Sequence, residues 1–237
     1  PLSSALDKFQ VFILVAPVLL FSMVAHEYAH GYAALRQGDP TAHELGRLTW
    51  NPLKHIDPFM TILMPIVTFW FMGFMFGGAK PVPVNPRNYR HYKRGDIIVS
   101  LAGVTVNLIL AGVFTLLIAV LGVVGRALSP FASTAAIVQV MMFVGVWSNL
   151  VLAFFNLLPI PPLDGSHVFK YLLPPAWSLR YERIGFLGIF LLIFLLPRLQ
   201  SVVIAPVSFL LGHALNLTQH SMLPRTLEIM RGVGFLG

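Results

Sequence analysis

A chain of 237 residues that is 57% hydrophobic and only 11% charged departs from the balance of a soluble globular domain and reads as an integral membrane protein. Its formal charge of +7 would suggest nucleic acid in a soluble protein. In this composition it reads instead as basic loops anchoring membrane helices, and no nucleic-acid partner is expected. The chain has no cysteine, which excludes disulfides, thiolate ligands and cysteine nucleophiles and leaves His, Asp and Glu for metal chemistry.

Taken in chain order, long apolar stretches at 9–35, 97–125, 134–158 and 184–212 are each long enough for a helix to cross roughly 30 Å of hydrocarbon. A fifth, 58–79, is shorter and broken by Pro65, Gly73, Gly77 and Gly78. The first is not a removable signal peptide, because its apolar core is long and a chemical motif sits inside it. The expected fold is an all-α polytopic membrane bundle of about four to six transmembrane helices. It includes a re-entrant segment and a short Pro-rich edge strand or extended loop near the active site. We read residues 1–237 as a single membrane-embedded domain, with a core at 9–170, C-terminal helices at 184–215 and an exposed tail at 218–237.

The first stretch closes on "VAHEYAHGYAALRQG", residues 24–38. His26 and His30 are four apart, so on a helix their imidazoles point the same way and can share one metal ion. Glu27 lies one step round, placed to take a proton from a metal-bound water. An ionisable group at membrane depth costs on the order of 3 kcal/mol and is rarely kept without a role.

Catalytic zinc takes three protein ligands and leaves a fourth position to water, so a further ligand is needed. Among His43, His55, His91, His167, His213, His220, Asp57, Asp96 and Asp164, the last stands out. In "FFNLLPIPPLDGSHVF", residues 154–169, Pro159, Pro161 and Pro162 force extended backbone, tolerable at membrane depth only inside protein or beside a wet cavity. Asp164 then suits either metal ligation or an N-cap for a helix starting near Gly165.

These residues resemble the site-2 protease family of intramembrane zinc metalloproteases. The resemblance rests on "HEYAH" at 26–30 and "NLLPIPPLDG" at 156–165, supported by "GRLTWNPLKHIDP" at 46–58, "AKPVPVNPRNYR" at 79–90 and "SLAGVTVNL" at 100–108. It implies peptide-bond hydrolysis within the bilayer, one zinc ion per chain, His26, His30 and Asp164 as ligands, and Glu27 as general base. Where the family shows G-P-x-x-N, this chain has Gly103, Val104 and Asn107, so the Pro is replaced. Asn107 suits either an amide donor to a substrate carbonyl or oxyanion or an interhelical hydrogen bond. Asn156 matches a position that holds extended substrate backbone, with the same alternative. His55 and Asp57 are given structural or supporting roles. "AKPVPVNP" fits an edge that could add a substrate strand, or a Pro-rich interfacial loop. No loop is long enough for a separate folded domain, so the resemblance is to the compact form without a PDZ domain.

If all five apolar stretches crossed the membrane, the end of the first helix and Asp164 would lie on opposite faces. The conflict disappears if 58–79 dips in and returns. Then eleven cations (Arg36, Arg47, Lys54, Lys80, Arg87, Arg90, Lys93, Arg94, Lys170, Arg180, Arg183) face two (Lys8, Arg126) across the membrane, a strong positive-inside bias. This puts the N-terminus outside and the active site toward the cytoplasmic half of a prokaryotic cell membrane. Transmembrane proteins are the expected substrates, with membrane lipids as surroundings. A cation transporter and a proteolytically dead scaffold are the other readings of the same residues.

Overall fold

In the computed structural model, residues 8–72, 77–185 and 187–233 are described, and they form helices with no β-strand among them. Helix α1 (Lys8–Gln37) runs for 30 residues, about 45 Å at the helical rise, and continues through Pro17. In hydrocarbon its backbone groups have no water to bond, so a continuous helix is the state that satisfies them. It stops at Gly38, whose φ of 111° is open mainly to glycine. A short turn, α2 (Thr41–Glu44), and a 3₁₀ turn (Pro52–His55) follow.

The fifth apolar stretch does turn back. A π-helical turn (Pro58–Leu63), capped by the Asp57 carboxylate through the Phe59 and Met60 amides, feeds α3 (Met64–Met72). Phe69 and Trp70 of α3 meet Phe12 of α1 at ring-centroid distances of 5.5 and 5.4 Å, about 21 Å along α1 from His26. Yet the Gly78 amide donates to the Met60 carbonyl at 3.0 Å, and the Thr61 hydroxyl to the Gly78 carbonyl at 2.7 Å. The segment therefore reaches deep along α1 and comes back to the point it left.

Helix α4 (Tyr92–Ala127) and helix α5 (Ala132–Asn156) complete the central trio. Contacts of residue 99 with 30, of 114 with 145 and of 118 with 139 make α4 antiparallel to both α1 and α5. The last third of α1, the first third of α4 and the end of α5 consequently share one end of the bundle. Beyond α5 come α6 (Asp164–Phe169), α7 (Pro175–Ile184), α8 (Leu187–Thr218) and α9 (Pro224–Gly232). The apolar core joins Val18 of α1, Phe114 and Ile118 of α4, Val140 and Phe143 of α5, Val207 of α8 and Met230 of α9. Among the described residues four spans, Phe9–Gln37, Tyr92–Ala127, Ser129–Asn156 and Ser201–Thr218, are long and apolar enough to cross a membrane.

At the C-terminus α8 runs unbroken through Pro197, and one expectation changes. The exposed tail is not one: Thr226, Ile229 and Met230 of α9 are buried. The cause is Gln139, a fully buried amide inside α5 that apolar surroundings would leave costly and unpaired. Its Nε2 donates to the Ile118 and Ser221 carbonyls at 2.8 and 3.1 Å, and its Oε1 accepts from the Leu223 amide and the Thr226 hydroxyl at 3.1 and 2.6 Å. Satisfying that one side chain pins the tail to α5.

Candidate metal centre

His26 and His30 project from one face of α1, as their spacing requires, and Asp164 arrives from the first turn of α6. The donor atoms His26 Nε2, His30 Nε2 and Asp164 Oδ2 form a triangle with sides of 3.0, 3.3 and 3.3 Å. Tetrahedral zinc with bonds of about 2.0–2.1 Å needs donors about 3.3 Å apart, so the residues fit the ion. Among the described residues this is the one His/Asp/Glu group with such a spacing.

The donors are also prepared electronically. His30 Nδ1 lies 2.7 Å from the Val99 carbonyl, which can only accept, so Nδ1 donates to it and Nε2 is the ring nitrogen left to face Asp164 and a metal ion. Asp164 does not cap its helix: the cap position is Leu163, and the buried Asp164 Oδ2 has no hydrogen-bond partner among the described residues beyond its 3.3 Å approach to the two imidazoles. The N-cap alternative is thereby removed, and the oxygen is left to the histidines and to any cation between them.

Gly103 shows why the third motif opens on glycine. A Cβ built there would run into the His26 ring and lie 2.5 Å from His30 Nε2, so α4 approaches this closely only without a side chain. Val104, the replaced Pro, is buried in an unbroken α4, and helix geometry there is intact. Asn107, one turn further on, is fully buried, and neither its Nδ2 nor its Oδ1 has a partner among the described residues. The interhelical hydrogen bond considered for it is therefore not made. Asn156 sits at the end of α5 and donates to the Leu152 carbonyl at 2.9 Å.

Glu27 Oε2 accepts from the Val82 amide at 2.8 Å. Residues 79–84, which contain that amide, form neither helix nor strand. His55 is buried, its Nε2 within 2.9 Å of the Thr49 carbonyl, and with the capping Asp57 it supports the loop rather than the metal.

Sequence reasoning passed over two carboxylates. Asp39 is fully buried at the end of α1 and accepts from the Asn85 amide at 2.6 Å and the Asn88 side chain at 2.8 Å. Burial alone would push its carboxyl up, but the Asn85 amide, the Thr41 hydroxyl and amide, and the Asn88 side chain together hold it below the ordinary carboxylate value. Asp96 of α4 pairs with Lys170 at 2.7 Å, accepts from the Tyr171 hydroxyl at 2.9 Å and lies 3.4 Å from His167. Burial pushes Lys170 down, but Asp96 and then Glu182, 2.9 Å away, raise it above its usual value. The sequence did hold a signal for this cluster: an acid among the apolar residues opening α4, and His167, Lys170 and Tyr171 at helical spacing just after Asp164.

A polytopic helical bundle that closes two histidines and an aspartate around one point, with a glutamate beside them, has the make-up of a membrane metallopeptidase. Residues 119–196 match the profile of Peptidase family M50. The chain is similar to "Putative zinc metalloprotease YwhC" of Bacillus subtilis, with 40% identity over 193 residues, covering 79% of this chain and 82% of that protein. It is also similar to two proteins named "Putative zinc metalloprotease Rip2". That of Mycolicibacterium smegmatis is 35% identical over 155 residues, 65% of this chain and 55% of that one. That of Mycobacterium tuberculosis is 31% identical over 193 residues, 81% and 70%. No solved structure matches the chain. The chain belongs to peptidase family M50, the site-2 protease family, and is a zinc metalloprotease.

Proposed function

We propose that the chain is an intramembrane endopeptidase that cleaves transmembrane protein substrates, the chemistry of regulated intramembrane proteolysis. The observation that carries this reading is the donor triangle of His26, His30 and Asp164 at zinc spacing, set among membrane-length helices. Zinc bound there would lower the pKa of its water and polarise the scissile carbonyl. Glu27, one residue from His26, takes the proton of the attacking water and passes it to the leaving amine. Asn107 offers the amide donor to the substrate carbonyl as charge develops; its fully buried, unpartnered side chain supports that role. Asn156 and the 79–84 segment hold unwound substrate backbone, since a helical peptide bond must unwind before water can reach it. The returning 58–79 segment keeps the eleven cations together, against Lys8, Arg126 and, from α9, Arg225 and Arg231 at the other end of the bundle, which favours an active site in the cytoplasmic half of a cell membrane.

The test pairs metal analysis with cleavage of a transmembrane reporter in proteoliposomes. Glu27→Gln is expected to keep its zinc and lose cleavage by about 10³-fold or more, the scale of a removed general base with its positioned water. Full cleavage by Glu27→Gln would sink the mechanism. Removing zinc from the wild type with a chelator should abolish cleavage, and re-addition should restore it.

A further inference from the structure

Residues 79–84 are tied down on both sides of Glu27. Upstream, the Lys80 amide donates to the His55 carbonyl at 2.7 Å, and the Arg47 guanidinium donates to the Lys80 and Pro81 carbonyls at 3.1 and 3.2 Å. Downstream, Asp39 takes the Asn85 amide at 2.6 Å. Between these anchors Val82 is buried, and its amide donates to Glu27 Oε2 at 2.8 Å. Pro81 and Pro83 have no N–H, so Val82 carries the only amide donor between Lys80 and Val84. That donor is committed to a side-chain carboxylate rather than to a backbone partner.

Helix α1 is shaped to allow this. Gly31 lies one turn after Glu27, and a Cβ built on it would sit 2.8 Å from Val82 Cγ1 and 3.2 Å from Leu48 Cδ1. A bare glycine therefore seats the Val82 side chain against the helix and brings its amide to the carboxylate.

We infer that the Val82 amide is a positioning group for Glu27, so that segment 79–84 sets the orientation of the proton acceptor as well as lying beside substrate. The inference rests on the general-base reading of Glu27. A carboxylate has two oxygens, and an amide bond to its charged form is among the stronger hydrogen bonds. Holding Oε2 leaves Oε1 free to receive the proton in a fixed direction. A substrate that shifts the segment as it docks would then move the base too, coupling binding to chemistry.

The chain lacks cysteine, so a nitroxide on Val84→Cys reports the segment's mobility without background. Adding Glu27→Ala is expected to raise that mobility; an unchanged spectrum overturns the inference. A second measurement replaces the Val82 amide by an ester, using the α-hydroxy analogue of valine, which removes one N–H and keeps the side chain. We expect kcat for the reporter to fall about tenfold, KM to stay within about twofold and zinc content to be unchanged. Gly31→Ala, which displaces Val82 but keeps its N–H, should lower kcat by a similar factor. A loss confined to KM, or no change in either constant, overturns the inference. The mobility measurement needs no turnover, so a zinc-loaded wild type that cleaves nothing defeats the protease reading while the spectrum still decides the coupling.

Discussion

Helix α6 serves two clusters of histidine and carboxylate, and the two are built on opposite electrostatic terms. Toward α4, Asp96 is neutralised from within: Lys170, the Tyr171 hydroxyl and His167 surround it, and Glu182 takes the other side of Lys170. Toward α1, Asp164 meets two imidazoles at 3.3 Å, and the Val99 carbonyl takes the Nδ1 proton of His30. The first cluster is complete without a ligand. The second brings three possible ligand atoms to the spacing a zinc ion needs. Unsatisfied acceptors, more than the presence of His and Asp, distinguish a metal centre from a structural ion pair.

The largest effect should come from breaking the open cluster. Asp164→Ala leaves two donors, and zinc affinity should fall by more than about 100-fold, beyond the loss seen when groups supporting a ligand are removed. Metal analysis after dialysis against a chelator measures it. Full retention of zinc would show that Asp164 belongs with Asp96 as a structural acid. Next in size is the closed cluster. Asp96→Ala strands Lys170, and breaking a buried pair this way costs about 3–5 kcal/mol, with Glu182 holding the loss toward the lower end. Thermal unfolding in detergent should show it. Zinc affinity should fall by about tenfold as α6 loosens, and excess zinc should restore occupancy without restoring the full melting temperature.

The smallest effect belongs to Asp39, which clamps residues 85–88 to the end of α1. Asp39→Asn should cost about 1–3 kcal/mol, the scale of a disturbed buried hydrogen-bond acceptor. The folded protein holds this carboxyl below its ordinary value, so its contribution is present above about pH 4 and lost as pH falls below that. The gap in melting temperature between wild type and Asp39→Asn should therefore narrow in acid. A gap independent of pH would show that shape, not charge, holds the clamp.

Local patterns were readable because they are written in spacing and composition. Apolar runs marked the membrane helices, a four-residue interval placed His26 and His30 on one face, and a Pro-rich turn singled out Asp164. The parity of the crossings even required 58–79 to return, and the Met60–Gly78 bond is where it does. What stayed hidden were pairings between distant residues whose local sequence is unremarked. Nothing in the local sequence marks Gln139, which residues 221–226 satisfy, and Asp96 needed α6 beside it before its role could be read. Asn107 kept two readings until the fold left its amide without a partner among the described residues. Composition and spacing thus determined by themselves that this is a membrane protein with a His-Glu-His motif and, in Asp164, an acid open to ligation or to capping. Only the tertiary structure decided that the Val82 amide, 55 residues from Glu27 in the chain, is the group that holds that glutamate. Such a contact depends on the relative placement of α1 and a proline-bounded loop, which no local pattern encodes.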